Sequence, residues 1–123
     1  MADLIDTSAW FNHFFDVSDD LDELIESDTP LFASVLTLFE IKRKLIRDGI
    51  SREKRDKVSS FIKMRATIIP VDETIAEDAA VISSKNNLST ADAIIYATAI
   101  SKQARLITCD SDFKKMPGVK IFS

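Results

Sequence analysis

Five short apolar or β-branched runs punctuate the chain, at residues 2–5, 31–35, 67–71, 105–108 and 119–122, each the length of a buried strand. Between them the apolar positions change to helical spacing. An Asp-Thr-Ser cluster at 6–8 opens a helix over 7–15, and Leu21, Leu24 and Ile25 share one face of a helix over 19–27 that Pro30 closes off. Leu38, Ile41 and Leu45 line a helix over 36–48 that stops at Gly49. Ser51 then caps a basic helix reaching Arg65, so the two form a helical hairpin. Asp72 opens a helix that runs to the Asn86-Asn87 break, and Ser89 or Thr90 opens another to Gln103.

Strands that alternate with helices, with no two-residue hairpin signal, predict a mainly parallel five-stranded sheet covered on both faces. The expected fold is therefore a three-layer α/β/α sandwich. At 123 residues there is room for one domain, 1–123, and no linker or repeat divides it. In such sheets ligands bind beyond the carboxyl ends of the strands, where the strand order reverses.

Four acids fall at that edge by the order of elements alone. Asp6 ends the first strand and Asp110 ends the fourth, in LITCD. Glu40 lies in the first turns of the helix leaving the second strand, and Asp92 in the first turn of the helix returning to the fourth. Singly, each has a structural explanation. Asp6 and Asp110 suit helix caps, Asp92 completes an S-x-x-D capping box with Ser89, and Glu40 stands four residues before Lys44. Together they repel one another, and such a cluster persists only if a cation neutralises it or a proton is shared. Oxygen donors without thiolate or imidazole favour Mg²⁺ or Mn²⁺ over zinc or copper.

Composition narrows the alternatives. A chain 46% hydrophobic and 29% charged with two glycines is neither disordered nor fibrous. One cysteine, Cys109, and one histidine, His13, rule out an internal disulfide, a Cys/His zinc site and two-histidine ribonuclease chemistry. Cys109 is expected to pack in or beside the fourth strand, and His13 on a helix surface. The acidic start and the lack of a long apolar run point to a cytoplasmic protein with no membrane segment. The net charge of −4 conceals a separation: residues 1–41 hold ten acids and no Lys or Arg, while residues 42–65 hold ten of the sixteen basic residues. That basic stretch is either a solvated helix face or an arm that grips a polyanion. Arg43, Lys44 and Arg47 follow Glu40 by three, four and seven residues, so they share its face and are candidate substrate-binding groups.

The segments LIDTSAW, ASVLTLFEIKRKL, LSTADAIIYATAI and ARLITCDSDF resemble, in order and spacing, the four acidic motifs of PIN domains, and the match spans essentially the whole chain. Within that superfamily the chain most resembles the short VapC-type toxins of toxin–antitoxin pairs. The resemblance implies a ribonuclease that hydrolyses RNA with Mg²⁺ or Mn²⁺, leaving a 5′-phosphate and a 3′-hydroxyl. Asp6, Glu40, Asp92 and Asp110 would be its catalytic and metal-binding quartet, with Asp6, Asp92 and Asp110 the more direct ligands and Glu40 a ligand or water-orienting base. Asp112 matches an additional acid, and Ser8 and Thr108 match hydroxyl positions beside the site. A homodimer and a cognate antitoxin are further implications, with the aromatic-rich stretch Trp10, Phe11, Phe14 and Phe15 a candidate apolar patch. A role in RNA processing, or binding without cleavage, would use the same fold. Aspartate-phosphorylating α/β folds fit less well: Asp6-Thr7-Ser8 lacks the D-x-D of haloacid-dehalogenase-like phosphatases, and Lys120 lies inside the fifth strand rather than at its end, where receivers need it.

Overall fold

The computed structural model describes residues 2–16 and 18–122. Along the chain run β1 (Asp3–Ile5), α1 (Thr7–Phe15), α2 (Asp19–Glu26), β2 (Leu31–Ser34), α3 (Val35–Arg47), α4 (Arg52–Arg65), β3 (Thr67–Ile69), α5 (Glu73–Asn86), α6 (Thr90–Ser101), β4 (Arg105–Thr108), a 3₁₀ turn (Ser111–Phe113) and β5 (Val119–Ile121). The strands form one sheet in the order β3-β2-β1-β4-β5, and every pairing is parallel. β2 and β3 are added on one side of β1. The chain then crosses through α5 and α6 to add β4 and β5 on the other, so the order reverses between β1 and β4.

Because side chains alternate across a strand, consecutive residues feed opposite cores. Ile5, Ala33 and Ile107 face a layer made by α1 to α4, whose buried contributions include Trp10, Leu21, Ile25, Ile41, Leu45 and Ile62. Leu4 and Leu106 face α5 and α6, with Ile75, Ala79, Ile95 and Tyr96. The predicted three-layer sandwich is the fold observed. No helix among the described residues is long and apolar enough to cross a membrane.

Element ends depart from expectation where a local group overrides periodicity. β3 stops at Ile69 because Pro70 has no N–H to continue the ladder. Val35 is the first residue of α3 rather than the last of β2, since Ser34 Oγ accepts the Leu36 N–H at 3.1 Å and caps the helix there. α3 ends in a Schellman turn. Gly49, at φ 74°, donates to the Ile46 carbonyl and Ile50 to that of Leu45. α2 ends before Pro30 is reached: Ser27 Oγ donates to the Leu24 carbonyl, and the Arg65 guanidinium donates to the carbonyls of Ile25, Ser27 and Thr29. One cation of the basic stretch is thus spent on sealing a helix end.

Candidate active site

The carboxyl ends of β1 and β4 are joined by a knot of side chains at the reversal point. Asp6 is the cap of α1, and its Oδ1 accepts from the Ala9 N–H at 2.9 Å and from Ser8 Oγ at 2.8 Å. Its other oxygen accepts from the Thr108 hydroxyl. Thr108 Oγ1 in turn accepts the Asp110 N–H, and Ser8 Oγ accepts the Cys109 N–H, each at 2.9 Å. Ser8 and Thr108 therefore hold Asp6 and brace the turn that carries Asp110. Only 3% of Asp6 is exposed. Burial pushes its carboxyl up to about 6, against the lowering effect of its hydrogen bonds with Thr108, Ala9 and Ser8, and the charge of Asp92 adds to the rise.

Asp92 enters from the opposite layer, in the first turn of α6. Ser89 Oγ accepts the Asp92 N–H at 3.2 Å, which is one half of the expected capping box. Burial, followed by the charge of Asp110, raises the Asp92 carboxyl. The cap from Ser89 opposes this, and Glu40 and Asp112 add to it. Single carboxylate oxygens of Asp92, Asp110 and Asp112 lie within 4.8 Å of one another. Asp112, placed by the sequence beside the site, thus stands inside its tightest group, because the 3₁₀ turn capped by Asp110 folds it back: Asp110 Oδ1 accepts the Asp112 N–H at 2.8 Å.

Glu40 reaches the site from α3 and does not pair with Lys44. Thr7 Oγ1 lies 2.7 Å from Glu40 Oε1 and 3.1 Å from Thr37 Oγ1. With one proton to give, it donates to the carboxylate at the shorter distance, and the Thr37 hydroxyl is its alternative acceptor. Thr7 was not singled out by sequence reasoning, although the residue after a strand-end acid is a natural place to look for a hydroxyl that holds a second acid.

The remaining candidates sit further out. Lys44 Nζ is 3.9 Å from the centre of the Phe11 ring, and the Arg43 guanidinium 5.3 Å from that of Phe39, so both cations are stacked on aromatic faces. Arg47 is exposed in the last turn of α3. His13 is not a surface residue as expected. Its side chain is 12% exposed, its Nδ1 lies 2.6 Å from Asp22 Oδ1, and its ring packs against Trp10, Phe14 and Phe61. Of the four aromatics in α1, Trp10 is fully buried, Phe11 and Phe14 pack at the core edge and Phe15 is 42% exposed.

The donor set suits a hard divalent cation. Every candidate ligand is a carboxylate. The one thiol nearby, Cys109, is pushed up to about 11 by burial and by the charges of Asp6 and Asp16, and so stays protonated, while His13 is engaged with Asp22.

The fold and the site together define a parallel α/β/α sandwich with five acids gathered where its strand order reverses. The PIN-domain family model matches residues 4–119, and the chain belongs to that family. Its solved structural relatives include VapC-type proteins. A toxin–antitoxin complex from Klebsiella pneumoniae is 27% identical at a TM-score of 0.77, covering 96% of this chain and 95% of that one. VapBC2 from Rickettsia felis, bound to a DNA fragment from its promoter, is 18% identical at 0.76 over 100% of both chains. VapC20 from Mycobacterium tuberculosis, a Sarcin-Ricin loop cleaving toxin, is 17% identical at 0.75, again over 100% of both. The latter two speak to the fold alone. No curated protein matches the sequence significantly.

Proposed function

We propose that the chain is a metal-dependent endoribonuclease and the toxin of a VapBC-type toxin–antitoxin pair. The observation that carries this reading is the convergence of Asp92, Asp110 and Asp112 within 4.8 Å, with Asp6 and Glu40 coupled to them. Mg²⁺ or Mn²⁺ would be held by Asp92, Asp110 and Asp112, with Asp6 behind them. When bound, such an ion supplies positive charge for the scissile phosphate and acidity to activate water.

The protein's own residues do the rest. Ser8 and Thr108 fix the orientation of Asp6, which holds its charge beside Asp92. Thr7 occupies one oxygen of Glu40, which leaves the second to orient the attacking water and take its proton. As the new bond to phosphorus forms, the bond from phosphorus to the 3′-oxygen breaks and that oxygen takes a proton from solvent, which leaves a 5′-phosphate and a 3′-hydroxyl. Arg43, Lys44 and Arg47 on α3 form one basic flank for the RNA strand. A homodimer and an antitoxin complete the proposed assembly, and the exposed acids of α2, Asp19, Asp20, Glu23 and Glu26, suit basic residues of that antitoxin.

The test is cleavage of single-stranded RNA by the purified chain with Mg²⁺ or Mn²⁺ and by its Asp92→Asn variant. Cleavage is expected to stop in EDTA, to return with either ion, and to fall by at least about a hundredfold in the variant, as when a preorganised charged group is removed. Undiminished turnover in EDTA would sink the metal mechanism. A wild-type chain that binds RNA but never cuts it would establish the binding-module reading instead.

A further inference from the structure

Beyond Asp112 the chain makes a compact turn that the proposed reaction leaves unused. A cavity of about 320 Å³ opens there, lined by Asn86, Ser111, Asp112, Lys114, Lys115 and Met116. Asp112 belongs to this cavity and to the carboxylate group alike, so the two share a wall. Lys114 and Lys115 are exposed, and neither takes part in an ion pair among the described residues.

The turn is held in place from below. Phe113 is fully buried and stacks on Tyr96, with ring centres 6.4 Å apart. The Tyr96 hydroxyl donates to the Pro117 carbonyl at 2.6 Å, and the N–H groups of Lys114 and Met116 donate to the carbonyls of Ser111 and Phe113 at 3.0 and 2.9 Å. Lys114 and Lys115 therefore project from a clamped segment, which lowers the entropy cost when a ligand orders them.

Sheet order gives this position its meaning. α3, which carries Glu40 and the first basic flank, follows β2 on one side of Asp6, whereas Lys114 and Lys115 follow β4 on the other. The carboxylates lie between two groups of cations. On the α3 side Lys44 and Arg43 are stacked on Phe11 and Phe39, while the two lysines beyond Asp112 have no aromatic partner among the described residues.

We propose that Lys114 and Lys115 form a phosphate-binding subsite that holds the RNA backbone next to the scissile bond. This rests on the nuclease reading above and adds to it the path of the strand, from α3 across the carboxylates to the turn before β5. Two ammonium groups offer point-charge attraction to phosphate without reading base sequence. They also offset the repulsion that Asp112 exerts on an approaching polyanion.

The experiment measures binding of a short, dye-labelled single-stranded RNA by fluorescence anisotropy over a series of KCl concentrations, in an Asp92→Asn background that prevents cleavage. Replacing both lysines by glutamine is expected to weaken binding across unrelated sequences. It should also reduce the slope of log affinity against log salt by about 1.4, roughly 0.7 for each phosphate of a single strand that is no longer neutralised. The Lys114→Arg, Lys115→Arg pair should restore both values. Placed in the Asp92 wild-type chain, the glutamine pair should not diminish the rise in melting temperature with Mn²⁺, because it removes only positive charge from beside the carboxylates. An unchanged salt slope in the glutamine variant, alongside wild-type cleavage of RNA, overturns the subsite alone. A wild-type chain that neither binds nor cuts RNA overturns the nuclease reading and the subsite with it.

Discussion

β1 and β4 lie side by side, and each end of the pair buries an aspartate, but the two ends treat that charge in opposite ways. At the amino end Asp3 sits in register with Arg105. The guanidinium donates to both carboxylate oxygens, at 3.0 and 3.2 Å, around a side chain that is 4% exposed. At the carboxyl end, three residues later, Asp6 is as deeply buried but is held only by hydroxyls and one backbone N–H, and its charged neighbours are acids. A fold able to place an arginine against a buried aspartate at one end has left the other end uncompensated. A buried charge without a counter-charge is expensive, and that cost is what supports the cation proposed for this end.

Breaking the compensated end should have the largest effect on stability. Arg105→Ala leaves Asp3 buried and unpaired. Removing one partner of a fully buried pair costs about 3–5 kcal/mol, but Arg105 is 38% exposed and water can reach the gap, so about 2–3 kcal/mol is expected in urea melts. Cleavage per folded molecule should be preserved, because the pair lies at the far end of the strands from the carboxylates. A loss of activity exceeding the loss of folded protein would mean that the two ends are coupled.

The uncompensated end should respond to pH in the opposite sense to a salt-bridged acid. Asp6 rises to about 6 in the fold, whereas in the unfolded chain it titrates near 4. The fold therefore favours the neutral form: the full stability is present below about pH 4 and is lost as pH rises through about 6, by about 3 kcal/mol in chelator. Asp92, raised by burial and by Asp110, acts in the same direction. Asp6→Asn removes the Asp6 share. The new amide presents a donor or a single acceptor where Thr108 and Ala9 both donate, which costs on the order of 1–2 kcal/mol. The variant should gain about 1–2 kcal/mol at pH 7 in chelator and show a flatter profile between pH 4 and 6. Equal pH dependence in both proteins would remove Asp6 from the electrostatics of the pocket.

The contrast between the two ends also explains what could be read from the sequence. Period-2 and period-3.6 patterns found the five strands and six helices of the described residues, and the clearest boundary shifts came where one group intervened, such as Pro70 after β3 or Ser34 at the cap of α3. Asp6, Glu40, Asp92 and Asp110 were legible because each occupies a fixed place relative to a strand or helix end. The groups that escaped were long-range pairs with no periodic signature. Thr7 with Glu40 and Asp3 with Arg105 join positions whose proximity depends on strand order and register, while His13 with Asp22 and Arg65 with the end of α2 depend on how the helices pack on one another. Asp3 did carry a signal, being a charge inside an otherwise apolar strand, and Arg105 opens the strand that lies beside it. How close Asp112 comes to Asp92 and Asp110 was not legible, because a 3₁₀ turn of three residues is too short to declare itself by pattern.

The central claim is that the carboxyl end is completed by a divalent cation, and the most direct measurement is the melting temperature in chelator and in Mn²⁺, for the wild type and for Asp92→Asn. An ion that binds only the folded chain, present at about ten times its Kd, stabilises by about 1.4 kcal/mol and raises the wild-type melting temperature by several degrees. In Asp92→Asn, which keeps the fold but takes one carboxylate from the group of three, that rise should largely disappear. An equal rise in both proteins, or none in either, would contradict the account.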